Sequence, residues 1–290
     1  WLEADSPTQH VGSDALASFL SASHLVPMMS LSNTYNKDEL VKYHERIHKA
    51  LQDHDFTYML EPKIDGVAIS LTYKNGMLTR GLTRGDGRTG DDITANLKTI
   101  PSIPFRLMAE SPPSLMEVRG EVFMTRERFA ALNQGRQQEG LEAFQNPRNA
   151  TAGSLKQLDS KVVAKRPLDA IFYAVGALEG ERLATHSDLL VHLAGWGFPT
   201  PPKTWAGPGI QDMIAALEEL ENERARFPFE IDGGVIKVNQ RGYYEELGAT
   251  SKSPRWAVAF KFEPEQAETL LRNISIQVGR TGVLTPVAEL

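Results

Sequence analysis

The chain has 290 residues, of which 41% are hydrophobic, so it can bury a substantial core and is long for a single domain. It lacks cysteine, which excludes disulfides and thiolate zinc sites, and its net charge of −6 argues against strong DNA binding by the chain alone. No apolar run has the length of a membrane span and no signal-peptide pattern opens the sequence, so we expect a cytoplasmic protein.

The first predicted helix begins with a capping signal. Residues 1–20 carry turn signals, and we interpret them as the end of another unit. Asn36 and Glu39 then have the spacing of a capping box, with Asn36 as the N-cap. Apolar residues follow at helical spacing: Leu40, Tyr43, Ile47 and Leu51. A helix facing a core is therefore predicted after Asn36.

Two strand-like runs, Phe56–Leu60 and Val67–Tyr73, flank the charged segment Glu61–Gly66. Asn75-Gly76 predicts a type I′ hairpin turn after the second run. Further strands are predicted at Leu115–Met124, Leu168–Ala177, Glu230–Val238, Trp256–Phe262 and Ile274–Val278. Helices are predicted between Thr125 and Gly140, at Ser187–Trp196 and at Ile210–Ala225. The irregular alternation of strands and helices predicts an α+β domain with antiparallel sheets flanked by helices. We expect a new element to begin at about Glu263.

Lys63, in Glu61-Pro62-Lys63-Ile64-Asp65-Gly66, is a candidate covalent nucleophile. A lysine amine attacks phosphorus only when it is neutral, so sites that use one rely on burial or on neighbouring cations. Arg84, Lys237 and Lys261 are candidate neighbours. Taken alone, Lys-x-Asp-Gly is more typical of a surface turn that carries a solvated lysine.

Charged residues also lie inside other apolar, strand-like runs, where an unpaired charge is costly. Glu117, Arg119 and Glu121 alternate along one strand and therefore share a face. Two interpretations are open. The charges bind an anionic, metal-bound ligand, or they pair with each other, with Lys237 and Lys261 opposite Glu117 or Glu121.

Three other features are less informative. The basic residues of 146–166 suit a phosphate backbone, a nucleotide or a solvated helix face. The glycine-rich segment 84–90 lacks the order of a phosphate-binding loop and favours a hairpin end. The seven histidines show no spacing typical of a metal site.

Together the motifs resemble the adenylation (nucleotidyltransferase) domain of bacterial NAD-dependent DNA ligases. The segments that carry the resemblance are residues 26–31, 61–66, 83–87, 117–122, 146–150, 232–237, 256–262 and 277–282. The resemblance implies the ATP-grasp-like ligase fold, with the tail of an N-terminal subdomain at 1–20, the adenylation domain at 21–262 and the start of an oligonucleotide-binding domain at 263–290. We therefore expect a fragment that reacts slowly or not at all with NAD⁺ and cannot seal nicks alone.

The resemblance also implies residue roles. Lys63 would attack the α-phosphate of NAD⁺ and expel nicotinamide mononucleotide, and Asp65 would position or deprotonate it. The other implied roles are adenine contact for Glu61 and Lys237, stacking on adenine for Tyr173, ribose contact for Arg84 and Glu121, α-phosphate contact for Lys261, a place at the rim for Ser30 and Leu31, and the cleft or DNA path for Arg148, Lys156 and Arg224.

The implied cofactor is Mg²⁺, with unassigned ligands, beside NAD⁺ as the AMP donor. Nicked duplex DNA would be the partner of the full-length protein, which we expect to be monomeric. Two alternatives stay open at this point. One is an ATP-dependent nucleotidyltransferase, which shares the Lys-x-Asp-Gly chemistry, and the other is a non-catalytic nucleotide-binding module.

Overall fold

The computed structural model describes residues 18–52, 54–263, 269–278 and 282–290. The strands are β1 (Ser21–Ser23), β2 (Ser32–Thr34), β3 (Tyr58–Ile64), β4 (Val67–Lys74), β5 (Met77–Thr83), β6 (Thr89–Asp91), β7 (Leu115–Met124), β8 (Leu168–Leu178), β9 (Trp205–Gly207), β10 (Ile231–Val238), β11 (Ala257–Lys261), β12 (Asn273–Val278) and β13 (Leu284–Glu289). The helices are α1 (Lys37–Leu51), α2 (Thr94–Leu97), α3 (Arg126–Gln138), α4 (Pro147–Leu155), α5 (Ser160–Ala164), α6 (His186–Gly195), α7 (Ile210–Glu223) and α8 (Tyr244–Leu247). Over these described ranges, no helix is both long and apolar enough to cross a membrane.

Two sheets form the body of the domain. One has the strand order β2-β11-β10-β3-β9 and the other the order β5-β4-β7-β8. All pairs in them are antiparallel except β2 with β11, which run parallel because the chain crosses most of the domain between the two strands. The predicted α+β class with antiparallel sheets is confirmed, with this one parallel pair as the exception.

Helices α1 and α7 cover one face of the five-stranded sheet. The predicted apolar stripe of α1 is fully buried there, together with Leu217 and Leu220 of α7. The cap of α1 differs in detail from the predicted box. Asn36 Oδ1 accepts from the backbone N–H of Glu39, but the Glu39 carboxylate accepts from the backbone N–H of Tyr35 and the side-chain amide of Asn36.

The predicted hairpin turn is confirmed, since Asn75 and Gly76 have φ angles of 48° and 77°, as a type I′ turn requires. The prediction that Lys63 lies between two strands was wrong. Strand β3 continues through Ile64 because its backbone pairs with β10 whatever the polarity of its side chains. Only Asp65 and Gly66 remain for the turn between β3 and β4. A Cβ atom at position 66 would lie 2.3 Å from the carbonyl oxygen of Val122, so this position requires glycine.

The other predicted elements are confirmed to within about two residues at their ends. Helix α3 begins after Thr125, which accepts from the backbone N–H of Arg128, and Gly140 follows it with a φ of 72°. Helix α7 ends two residues earlier than predicted, and a 3₁₀ turn continues from Arg224 to Arg226. Of the predicted turn 280–282, residues 280 and 281 lie outside the described residues.

Candidate active site

Strand β3 presents its charged residues to the space between the two sheets. Leu60 and Ile64 pack on the side of α1 and α7, whereas Met59 belongs to the core of the four-stranded sheet. Side chains alternate along a strand, so Glu61 and Lys63 share the face of Met59. The candidate nucleophile therefore projects from the five-stranded sheet towards the second sheet.

A β-bulge brings an acid between two lysines. Lys63 of β3 and Lys261 of β11 both pair in register with Gly233 of the central strand β10. The register of β10 against β3 shifts between Ile231 and Gly233, and such a bulge re-aims the side chain at the bulge. Asp232 there accepts from Lys63 Nζ through both oxygens at 3.0 Å, and its Oδ2 lies 3.6 Å from Lys261 Nζ. The Lys63 side chain is 23% exposed, so a solute can reach it.

A second cluster, which we call the buried triad, consists of Glu61, His186 and Lys237. Lys237 Nζ donates to Glu61 Oε2 at 2.6 Å, and His186 Nε2 contacts Glu61 Oε1. The exposures of Glu61, His186 and Lys237 are 2%, 2% and 5%. The alternative interpretation, in which Lys237 and Lys261 pair with Glu117 or Glu121, is wrong in its partners, because Lys237 pairs with Glu61 and Lys261 with Asp232 on their own sheet.

The triad shifts the pKa values of its members. Burial alone would raise the pKa of Glu61, but the charges and hydrogen bonds of Lys237 and His186 outweigh it and lower that pKa to about 2. Burial lowers the pKa of Lys237, against the attraction of Glu61. Burial and the Lys237 charge lower the pKa of His186. Glu61 is therefore an ionised acceptor at neutral pH.

Glu121 and Tyr173 lie beside the triad, on β7 and β8. The Tyr173 hydroxyl donates to Glu121 Oε2 at 3.2 Å, and Lys237 Nζ lies 5.4 Å from the centre of the Tyr173 ring. Burial raises the pKa of Glu121 to about 7, although the charges of Lys63 and Arg148 oppose the shift. Glu121 thus titrates near neutral pH in the folded protein.

We expect Glu121→Gln to stabilise the protein at pH 8 and to have little effect at pH 4. A carboxyl whose folded pKa lies above its unfolded value binds its proton more readily when folded, so its ionisation reduces stability as the pH rises from about 4.5 to about 7. The amide avoids that cost, and the gain above pH 7 should be on the order of 1–3 kcal/mol. Urea unfolding of both proteins at pH 4, 6 and 8 measures it. A gain that is the same at all three values would contradict the raised pKa.

Asp65 is paired with Arg148 and not with Lys63. Arg148 Nη1 donates to Asp65 Oδ1 at 2.7 Å, and this hydrogen bond raises the pKa of Arg148. The backbone N–H of Asp65 donates to the carbonyl of Glu230 at 2.9 Å, one residue before β10. The turn after Lys63 is thereby fixed both to α4 and to the start of the strand that carries Asp232.

Glu117 and Arg119 hold the segment that precedes β2. Glu117 accepts from Arg119 at 3.0 Å and from the backbone N–H of Leu25 at 2.7 Å, and Arg119 also donates to the carbonyl of Val26. These two residues therefore bind each other and the backbone, with no lysine involved. The anchored segment leads to Ser30, whose Oγ accepts from Arg84 Nη1 at 3.4 Å.

The remaining predicted residues are less closely associated with this site. Leu31 is half-buried immediately before β2, and Lys156 is exposed at the end of α4. Arg224 starts the 3₁₀ turn after α7, and its carbonyl accepts from Arg126. Within the described ranges, no hydrogen bond or ion pair joins the side chains of Leu31, Lys156 or Arg224 to Lys63 or to the triad.

Two residues of the site were missed in the sequence. Asp232 belongs to a recognised motif, but the bulge that turns it towards Lys63 has no sequence signature beyond the two following glycines. His186 has no histidine-cluster signal in the sequence, because its partners are Glu61 and Lys237. No three potential metal-ligating side chains converge anywhere in the part of the chain that the structure describes.

Comparisons with known proteins identify the family. The model of the NAD-dependent DNA ligase adenylation domain matches residues 16–265. The chain is 49% identical to a DNA ligase of Methylacidiphilum infernorum over 99% of its own length and 42% of that protein, and 50% identical to a DNA ligase of Syntrophobacter fumaroxidans over 99% and 43%. A solved mycobacterial DNA ligase D with ATP and MES shows 17% identity and a TM-score of 0.39, covering 71% of this chain and 54% of that one. The chain thus spans under half the length of these curated relatives, and it belongs to the family of NAD-dependent DNA ligase adenylation domains.

Proposed function

We propose that this chain carries out the adenylation step of a DNA ligase, in which Lys63 receives AMP from NAD⁺. The observation that carries the proposal is the arrangement of Lys63 and Lys261 around Asp232 at the face between the two sheets. A partly exposed amine beside a second cation suits attack on a phosphate, because phosphoryl transfer depends mainly on positioning and charge neutralisation. The family match supplies NAD⁺ as the donor.

In the proposed step, the neutral Lys63 amine attacks the α-phosphorus of NAD⁺. A nitrogen–phosphorus bond forms, the bond between that phosphorus and the bridging oxygen breaks, and nicotinamide mononucleotide leaves with the electron pair on its phosphate oxygen. The amine releases one proton to solvent or to the leaving phosphate as the phosphoramidate forms. Attack needs the nitrogen lone pair to face phosphorus, so the contact with Asp232 has to be released first.

The other polar residues would bind the AMP half. Ionised Glu61 accepts hydrogen bonds and Lys237 donates them, which suits the amino group and ring nitrogen at one edge of adenine. The Tyr173 ring offers a stacking surface, and Lys261 neutralises the α-phosphate. Glu121 and Arg84 would contact the ribose, with Ser30 and Leu31 at the rim. The Asp232 carboxylate fits Mg²⁺, which binds few protein oxygens in addition to phosphates and would neutralise phosphate charge when bound.

Sealing of nicks in duplex DNA belongs to the proposal for the full-length protein. The chain covers 42% to 43% of the curated relatives, so most of what they contain lies outside it. Arg148, Lys156 and Arg224 would face the cleft or the DNA path, although Arg148 is engaged by Asp65 in the structure. The boundaries at residues 20 and 262, the monomeric state and the cytoplasmic location stay predictions.

We expect this chain to bind AMP, and Tyr173→Ala to weaken binding about 10-fold to 100-fold. Stacking of a base on an aromatic ring contributes about 1–3 kcal/mol, and alanine removes the ring. Isothermal titration calorimetry with AMP measures both affinities. Lys237→Ala should weaken binding as well. Tyr35→Ala is the matched control, because the Tyr35 side chain is exposed on the segment before α1.

Two outcomes would contradict the proposal. Absence of binding at millimolar AMP would show that these residues do not form an AMP pocket in the chain. Equal affinity of the Tyr173→Ala variant and the unaltered chain would remove Tyr173 from the pocket.

A further inference from the structure

His186 is held rigidly at the start of α6. Its backbone N–H donates to the carbonyl of Asn239 at 2.7 Å, and the Asn239 side chain accepts from the backbone N–H of Ser187 at 3.0 Å. Thr185 and Asp188 form a reciprocal capping box around the same turn. These contacts tie the helix start to the end of β10 and fix where the imidazole lies.

The imidazole contacts the second oxygen of Glu61, and we assign its Nε2 as the donor because an ionised carboxylate can only accept. Nε2 contacts Glu61 Oε1, while Lys237 Nζ occupies Oε2 and also lies 3.1 Å from Nε2. Both oxygens of this buried carboxylate therefore have a partner, which an ionised buried group requires. The His186 side chain is 2% exposed, so it reaches a bound nucleotide only through its partners.

We propose that His186 is a positioning residue that holds the Glu61 carboxylate in place as a hydrogen-bond acceptor, so that the pocket selects a 6-aminopurine over a 6-oxopurine. The inference rests on the proposed function, in which Glu61 and Lys237 meet the base. A 6-aminopurine offers a donor at C6 and an acceptor at N1, which match Glu61 and Lys237. A 6-oxopurine offers an acceptor at C6 and a donor at N1, so both contacts become repulsive.

Loss of the imidazole would relax this selection. Without the imidazole, Glu61 Oε1 loses its partner, while Lys237 still holds Oε2. A carboxylate with one free oxygen can rotate and present that oxygen to the N1–H of a 6-oxopurine. This change reduces the advantage of the amino group.

Calorimetry on the unaltered chain and three variants measures the affinities of AMP and inosine monophosphate. These two nucleotides differ only at the C6 and N1 edge of the base. The unaltered chain should prefer AMP by about 100-fold or more. His186→Leu removes the donor and should reduce the preference at least about tenfold, whereas His186→Gln retains an N–H and should keep most of it. His192→Leu is the control on the same helix, because the His192 side chain is 44% exposed.

The outcomes separate the inference from the proposed function. If His186→Leu weakens both nucleotides equally and the preference stays, His186 is merely structural and the inference is wrong, while the AMP pocket stands. If the unaltered chain binds neither nucleotide, both the inference and the proposed function fail.

Nitrogen-15 NMR of the unaltered chain gives a second check that needs no variant. A His186 Nε2 without a proton cannot donate to Glu61 and would overturn the inference.

Discussion

Lys63→Arg in the full-length protein is expected to abolish the protein–AMP adduct, a loss on the order of 10⁴-fold or more. Arginine retains the positive charge and can keep the ion pair that Lys63 makes with Asp232. Its guanidinium stays protonated in proteins and cannot attack phosphorus, so the substitution removes the nucleophile and little else. Intact-protein mass spectrometry after incubation with NAD⁺ and Mg²⁺ shows whether one adenylyl group has been added.

Two controls make this result specific to the chemistry. Lys74→Arg, at the exposed end of β4, should leave adduct formation unchanged. AMP affinity of the Lys63→Arg chain should stay within about threefold of the unaltered chain, because the triad and Tyr173 are intact. An adduct on the Lys63→Arg protein would identify a different nucleophile. An adduct formed with ATP but not with NAD⁺ would contradict the proposed donor.

Local structure was predictable where one sequence signal determines it. Asn75-Gly76 satisfies the positive φ angles of a type I′ turn, and the apolar stripe of α1 lies at the spacing of one helix face. Strand β3 was predicted too short because Glu61 and Lys63 are charged. Backbone pairing with β10 is indifferent to side-chain charge, and the charge merely has to face a partner.

The partners of the charged residues were not predictable, because they depend on register between distant strands. Asp232 reaches Lys63 and Lys261 only because β10 bulges between Ile231 and Gly233. Glu61 meets His186 because α6 starts where β10 ends, a contact between residues 125 positions apart. Sequence patterns give the face of a strand, whereas the pairing of charges across a site is set by tertiary packing.

Lys237→Met is expected to lower the free energy of unfolding by about 3–5 kcal/mol at pH 7. It leaves ionised Glu61 buried with His186 as its remaining triad partner, and loss of one partner of a buried ion pair leaves an uncompensated charge. Urea unfolding of this chain measures the change. Lys37→Met is the matched control and should cost much less, because Lys37 and its partner Glu218 are 61% and 56% exposed.

The double variant Glu61→Gln/Lys237→Met tests whether the cost comes from the uncompensated charge. Removing the carboxylate as well should recover part of the lost stability, with a coupling of about 0.5–3 kcal/mol in the double-mutant cycle.

The free energy of unfolding should depend on pH through Glu61. The pKa of Glu61 is about 2 in the folded protein against 4.5 ordinarily, so the stabilisation by its carboxylate is complete above about pH 4.5 and is lost as the pH falls towards 2. Glu61→Gln should therefore lose less stability than the unaltered chain across that interval, and equal losses would show that the carboxylate is not stabilised by its two partners.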